Sequence, residues 1–272
     1  MNPMRLTVRH VTHYTYDETP RYLVQRLHLQ PTDFATQRCL RWTVSAPGIE
    51  KALCYVDGFG NWVHLVTSVP ETGGMQIIAE GEVETSEASG LVKGLPGFAP
   101  EAVFLRRTLL TQMDAALQKL ASEVYRKKSV LETAHGIMQA VHGRVSYVTG
   151  ASDALTTAAE AYAAGKGVCQ DHAHIMIAVA RSLKIPARYV TGYLVTGVGA
   201  SSTAAHAWAE LFMPELGWVG FDAANGQCPT AEYVRVAAGL DAPAVAPIRG
   251  TRRGGAGAEH LTVEVSVEIS QQ

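Results

Sequence analysis

The sequence contains no apolar run long enough to span a membrane and no basic block longer than Arg126-Lys127-Lys128. With 23 Lys and Arg against 25 Asp and Glu, a formal net charge of -2 leaves no electrostatic footprint for a polyanion. Neither nucleic acid nor a membrane is therefore expected as a partner. Cysteine is scarce as well. Cys39, Cys54, Cys169 and Cys228 show no paired spacing, which argues against a disulfide framework and for reduced thiols. The opening "MNPMRLTVRHVTHYTY" mixes charges with β-branched residues where a signal peptide needs an uninterrupted apolar segment. These absences together predict a cytoplasmic protein. What is present, 47% hydrophobic and 18% charged residues in a chain of 272, suffices to bury a sizeable core in one large domain or two small ones.

The hydrophobic period changes along the chain. Up to about Thr85 it is two: "RLTVRHVTHYTYD", "CLRWTVSAPG", "GNWVHLVTSV" and "MQIIAEGEVET" alternate, and turn-forming "APG", "DGFGN" and "ETGG" separate them. Residues 1–85 are thus expected to form an antiparallel, sandwich-like β domain. The stretch 86–100, "SEASGLVKGLPGFAP", loses periodicity and gathers Gly, Ser and Pro, as a linker does. Residues 101–272 form the second unit.

That unit begins with a period of three to four, in "EAVFLRRTLLTQMDAALQKLASEVYRKK" and "SVLETAHGIMQAVHGRV". The pattern predicts two helices, the second opened by a capping box of Ser129 and Glu132. A further helix is expected from Cys169 to about residue 183, ended by Ile185-Pro186. Strand-like "ARYVTGYLVTG", "AHAWAELFMPELGWVGFDAANG" and "HLTVEVSVEIS" follow, the last after a surface excursion from Gly239 to Glu259 and returning to the same sheet. The expected fold class is α+β: an N-terminal antiparallel β domain, then helices packed on an antiparallel sheet.

Cys169 stands where a helix N-terminus exposes unpaired N–H groups and a dipole that favour a thiolate. Gly165 and Gly167 before it let the chain turn and leave space for a substrate. A buried, small apolar cysteine fits the same position. Company decides between them. His206 opens the alternating "HAWAELFM" after the loop "GVGASSTAA", and Asp222 ends the next strand in "GWVGFDAANG". One supplies a base, the other an acceptor that fixes its tautomer. Alone, a histidine at a strand start is often a surface or core residue, and an aspartate before "AANG" is often a turn former; together with Cys169 they make a coherent thiol triad.

Cys169, His172 and His174 also raise zinc as an alternative, but i and i+5 on a helix are turned about 140° apart and no second cluster completes a ligand set. No metal and no cofactor is expected. Asp171 and His174 are expected to order the helix, His172 to reach the cleft, and Trp208 and Trp218 to pack the sheet. His10, His13, His28 and His64, in the β domain, are read as structural. Residues 150–165 carry no charge besides Asp153 and Glu160, which suits a cleft that accepts a peptide backbone.

"GVCQDHAHIMIAVARSLKIPARYVTGYL", "HAWAELF" and "GWVGFDAANG", in that order, resemble the three signature segments of the transglutaminase-like superfamily. "VRHVTHYTYDETPRYLVQRLHLQP" and "DGFGNWVHLV" resemble the β domain preceding that core in a bacterial branch. The resemblance implies a papain-like core and amide chemistry, with Cys169 as nucleophile, His206 as general base and Asp222 as its orienter. It implies a cysteine peptidase or amidase acting on a peptide or amide, as in many bacterial members, or else glutaminyl transfer, as in the animal enzymes. It also brings an ATP-grasp amide-ligase system forward as a partner. Relatives commonly carry an aromatic where this chain has His172, and no acidic loop resembles the calcium sites of animal relatives. A binding or scaffold protein on an inactive core is the rival from another class, and self-association through a sheet edge stays open.

Overall fold

A computed structural model describes residues 3–70, 74–97, 99–125, 129–195, 201–202, 205–255 and 257–270. Arg126-Lys127-Lys128 and most of the loop "GVGASSTAA" lie outside the described residues. The alternating segments form β1 (Met4–Tyr16), β2 (Tyr22–Leu27), β3 (Gln37–Ser45), β4 (Leu53–Val56), β5 (Trp62–Ser68) and β6 (Met75–Thr85). Alternation sets their faces: on β1, Leu6, Val8, Tyr14 and Tyr16 are buried while Arg5, Arg9 and Thr15 are exposed. A short strand, β7 (Leu91–Val92), sits within the stretch read as a linker and joins the far sheet.

The helix expected over 101–128 is broken. It becomes 3-10 turns at Glu101–Leu105 and Leu109–Thr111, then α1 (Ala115–Val124). Buried Arg181 takes up the Phe104 carbonyl at 2.9 Å, a backbone acceptor that a continuous helix would use, and also donates to the Thr111 hydroxyl at 3.0 Å. Asp114 then caps the new start by accepting the Leu117 N–H at 2.8 Å. The next helix, α2 (Val130–Arg144), opens on the expected Ser129–Glu132 capping box.

After α2 come β8 (Ser146–Tyr147), α3 (Ala158–Ala164), β9 (Lys166–Gly167) and α4 (Cys169–Ser182). The stretch Ile175–Ala180 of α4 is fully buried, as a helix that is apolar all round must be. It lies against the sheet of β10 (Ala187–Leu194), β12 (His206–Met213), β13 (Gly217–Phe221) and β14 (Tyr233–Gly239), in the antiparallel order β14-β10-β12-β13-β7. The two-residue β11 (Ser201–Ser202) belongs to the other layer.

The chain's end goes elsewhere than expected. Strand β15 (Ile248–Arg253) pairs with β2, and β16 (Glu259–Ile269) pairs with β1 from Leu6↔Ile269 to Tyr16↔Glu259. Alternation in "HLTVEVSVEIS" tells that one face is buried, not which strand it joins; the long edge of β1 offers a full row of backbone donors and acceptors. The N-terminal β layers are therefore built from both ends of the chain.

Side-chain amides join these layers to the core sheet. Gln37 exchanges hydrogen bonds with the backbone of Arg235, at 2.8 and 2.7 Å, and Asn61 does the same with Ala238, both at 2.8 Å. Each thus pairs with the outer edge of β14 as a neighbouring strand would. Beneath them Glu210, fully buried, lies between Arg188 (2.5 Å) and Arg235 (2.8 Å), and the Arg188 guanidinium rests 4.0 Å from the Trp218 ring centroid. Glu210→Gln is expected to destabilise the fold by about 3–5 kcal/mol, because two buried guanidinium groups lose their counter-charge. A urea-unfolding midpoint equal to the wild type's would contradict this.

Candidate functional site

Cys169 is the first residue of α4, and its position is set from below. The cap residue Val168 is extended, and its N–H goes to Asp171 Oδ2 at 2.7 Å, which also accepts from Ser152 Oγ at 2.5 Å. Gly165, at φ 66°, ends α3 in the left-handed conformation. At Gly167 a Cβ would stand 2.6 Å from Asp171 Oδ2. The space that glycine leaves is therefore taken by Asp171, a helix-ordering carboxylate, rather than kept for a substrate.

His206 begins β12 and Asp222 follows β13. Their antiparallel pairing, Ala209 opposite Phe221, brings the two side chains together with Nε2 to Oδ2 at 2.7 Å. Asp222 has no solvent exposure, yet both its oxygens are saturated. Oδ2 also accepts from Asn225 Nδ2 at 2.7 Å and the Tyr233 hydroxyl at 2.8 Å, and Oδ1 accepts the backbone N–H groups of Ala224 and Asn225 at 3.0 and 3.2 Å. The turn role and the orienting role that the sequence offers for Asp222 coexist, one on each oxygen. Asn225 and Tyr233 were not legible as site residues. Only the closeness of "N" to "FDAAN" hints at the first, and nothing local marks the second.

These donors decide the charge of the site. Burial raises the Asp222 carboxyl, but the bonds from His206, Asn225 and Tyr233 outweigh it and hold it below the ordinary range. Burial likewise lowers His206; the hydrogen bonds and charges of Asp222 and Cys169 overcome that and raise it to about 10. His206 is thus an imidazolium at neutral pH. Its ring stacks on Trp208, centroids 6.2 Å apart, and meets the edge of Tyr233 at 5.8 Å.

Cys169 is 3% exposed and donates to Gln170 Oε1 at 3.2 Å. The Cys169 sulfur lies close enough to His206 and to the Tyr147 hydroxyl to raise the proton affinity of both. The other thiols are different in kind: burial raises Cys39 to about 11 and also raises Cys54 and Cys228.

The structure puts His172 away from the cleft, with its ring nitrogens each 2.9 Å from a backbone carbonyl, of Val168 and Val145. His174 Nε2 accepts the Ala242 N–H at 3.1 Å. Both His172 nitrogens and His174 Nε2 are engaged with backbone, and among the described residues no group of three or more His, Cys, Asp or Glu is clustered for a metal. Trp218 packs against Phe104 and Phe212. His10, far off in sequence, lines the same cleft as His206, bonded to the Tyr193 hydroxyl at 3.0 Å and Thr12 Oγ1 at 3.2 Å. His28 meets the Ala246 carbonyl at 3.3 Å, while His13 and His64 lie outside the cleft lining.

Burial lowers His10 to about 4 and, with Arg181 nearby, His174 to about 3. The unfolded chain takes up protons below about pH 6.5 that the folded chain refuses until much lower, so stability drops as pH falls through that interval. A loss of roughly 3 kcal/mol per histidine is expected between about pH 6.5 and pH 4. Urea unfolding at several pH values checks it: His10→Gln should flatten the curve, and a wild-type curve flat over that interval would refute the assignment.

No helix among the described residues is long and apolar enough to cross a membrane. Residues 118–223 match the transglutaminase-like superfamily and residues 6–84 the bacterial transglutaminase-like N-terminal region. An uncharacterized protein of Mycobacterium tuberculosis is 28% identical over 297 residues, covering 97% of this chain and 92% of that one. One of Mycobacterium leprae is 39% identical over 108 residues, covering 38% of this chain and 37% of its own. A crystal structure of a proposed cysteine protease from Cytophaga hutchinsonii superposes with a TM-score of 0.74 at 22% identity, covering 100% of this chain and 93% of that one. That likeness is one of fold.

Proposed function

The chain belongs to the transglutaminase-like superfamily, with the bacterial N-terminal region before its core, and from that premise we propose that it is a thiol-dependent acyl-transfer enzyme acting on peptide or amide bonds, a cysteine peptidase or amidase. One observation carries the reading: the thiol at the first position of α4 has as partner a histidine that Asp222 holds at 2.7 Å in its charged form.

The proton that makes His206 an imidazolium is the one the thiol has given up, and Asp222 stabilises that charge, so the sulfur meets the substrate as the anion of an ion pair. The sulfur attacks the amide carbonyl, and the C–S bond forms as the carbonyl oxygen takes up negative charge. The Cys169 backbone N–H, at the helix start, supplies one donor to that charge, and the Tyr147 hydroxyl is the second candidate donor. His206 then protonates the departing amine as the C–N bond breaks. In the second half-reaction water gives a proton to His206 and its oxygen attacks the thioester carbonyl; the C–S bond breaks, the acid leaves, and the sulfur anion is restored beside a protonated His206. An amine in place of water would make the same site a transferase, the second reading that the shared first half-reaction keeps open.

The test is to acylate the protein with p-nitrophenyl acetate and to map the adduct. An acetyl thioester is expected on Cys169 and on no other cysteine, decaying in plain buffer at a rate that added primary amine does not increase. Decay that depends on the amine would favour transfer. Acetylation that ignores Cys169 would remove the proposal.

A further inference from the structure

The cleft onto which His206 opens is far larger than the reacting groups require. Its volume is about 670 Å³, within the range of roughly 300–1,000 Å³ typical of small-ligand sites. One wall belongs to the N-terminal β layer, with His10 and Thr12 from β1 and Leu261 and Val263 from β16; the opposite wall has Tyr189 and Thr191 of β10. The strap from Ala242 to Ile248 and the loop from Ser152 to Thr156 complete the lining, and Val168 and Gln170, the chain neighbours of Cys169, are part of it. The unexpected pairing of β16 with β1 is what builds this site from both ends of the chain.

Each charged group on the lining has a hydrogen-bond partner, His206 in Asp222. Asp171 is held by Ser152 and the Val168 N–H, and Asp153 accepts from the Leu155 N–H at 2.8 Å and Thr156 Oγ1 at 3.2 Å. Arg249 donates to the Pro243 carbonyl at 3.1 Å. His10 and His174 are uncharged at neutral pH because burial disfavours their protonation. Away from Asp153 and Arg249, which are exposed and have neutral partners, a charged substrate group would lose water without meeting an accessible counter-ion. An apolar one gains instead from Leu155 and Leu261, 80% and 52% exposed, and from Val263 and the aliphatic strap.

We propose that this cleft is the substrate subsite beside the scissile amide, and that it selects an uncharged, largely apolar chain, whether the side chains of an apolar peptide or a fatty acyl group. The assignment rests on Cys169 as the reacting atom. Both domains then take part in recognition, the core supplying the chemistry and the N-terminal layer one wall of the specificity site.

A series of alkylating reagents tests this on the intact protein: iodoacetamide, N-octyl iodoacetamide, and the iodoacetyl derivatives of Leu-Leu, Glu-Glu and Lys-Lys amides, each rate at Cys169 divided by its rate with glutathione. The octyl or the Leu-Leu reagent is expected to label Cys169 at least about tenfold faster than iodoacetamide, and whichever gains more identifies an acyl or a peptide source. The charged dipeptides should show no gain. Leu261→Arg and Val263→Trp should each bring the apolar-to-small ratio close to unity, and Leu109→Arg, outside the lining, should leave it alone. Because Leu261 is half exposed, its arginine variant gives the answer even if the tryptophan at Val263 disturbs folding. Equal gains for charged reagents, or a ratio that survives both cleft variants, would overturn the proposal. Slow labelling by every reagent with the ratio intact would count against the nucleophile and leave the cleft standing.

Discussion

Alanine in place of Cys169 is expected to abolish acyl transfer, with a loss of at least about four orders of magnitude in turnover, because no other side chain can form the thioester. The remaining cysteines do not substitute: each is held protonated by its surroundings, with Cys39 raised to about 11. His206→Ala should cost nearly as much, since thiol and imidazole act as one unit and the double variant should be little worse than either single one. The p-nitrophenyl acetate burst measures both. A burst that persists in Cys169→Ala would place the chemistry elsewhere. Additive losses in the double variant would mean that the two residues act apart.

Asp222→Asn is expected to lower turnover by about two to four orders of magnitude while leaving Cys169 in place. The carboxylate is the anchor of five donors, and an amide can present only one acceptor atom to them, so a destabilisation of about 1–3 kcal/mol accompanies the kinetic loss. The pH profile carries the specific signature. In the wild type His206 keeps its proton until about pH 10, so the rate should hold through neutral and mildly alkaline pH and fall as that proton is lost. Without the Asp222 charge only Cys169 is left to oppose burial, and the alkaline limb should move to lower pH. An unmoved limb would show that Asp222 is not what holds His206 charged.

The three central residues were legible because each stands at an element boundary that the sequence marks: a glycine-rich approach before a helix for Cys169, the first residue of an alternating run for His206, and the end of the next run for Asp222. Their supporting shell was not. Tyr233 reaches Asp222 from β14, a strand separated from it by a loop, and Gln37 and Asn61 grip the backbone of that strand from the other layer. Contacts of that kind depend on strand order, and alternation fixes a strand's faces without naming its neighbours. The same limit hid the return of β16 to β1, and with it the outer wall of the cleft. Residues 101–128 are the reverse case, where a period of three to four was present and Arg181 takes the Phe104 carbonyl that a helical ladder would need. The His172 ring packs on Tyr147, with centroids 6.3 Å apart and planes at 29°.

The most direct measurement is the iodoacetamide labelling rate of all four cysteines, resolved by peptide mapping, from about pH 5 to pH 9 in the wild type and in His206→Ala. The account predicts that Cys169 reacts first across the acidic and neutral part of that range, although it is far less exposed than Cys54, and that His206→Ala removes its advantage. If Cys169 labels no faster than Cys54 at any pH, and the variant changes nothing, the thiol–imidazolium pair at the centre of this account does not exist.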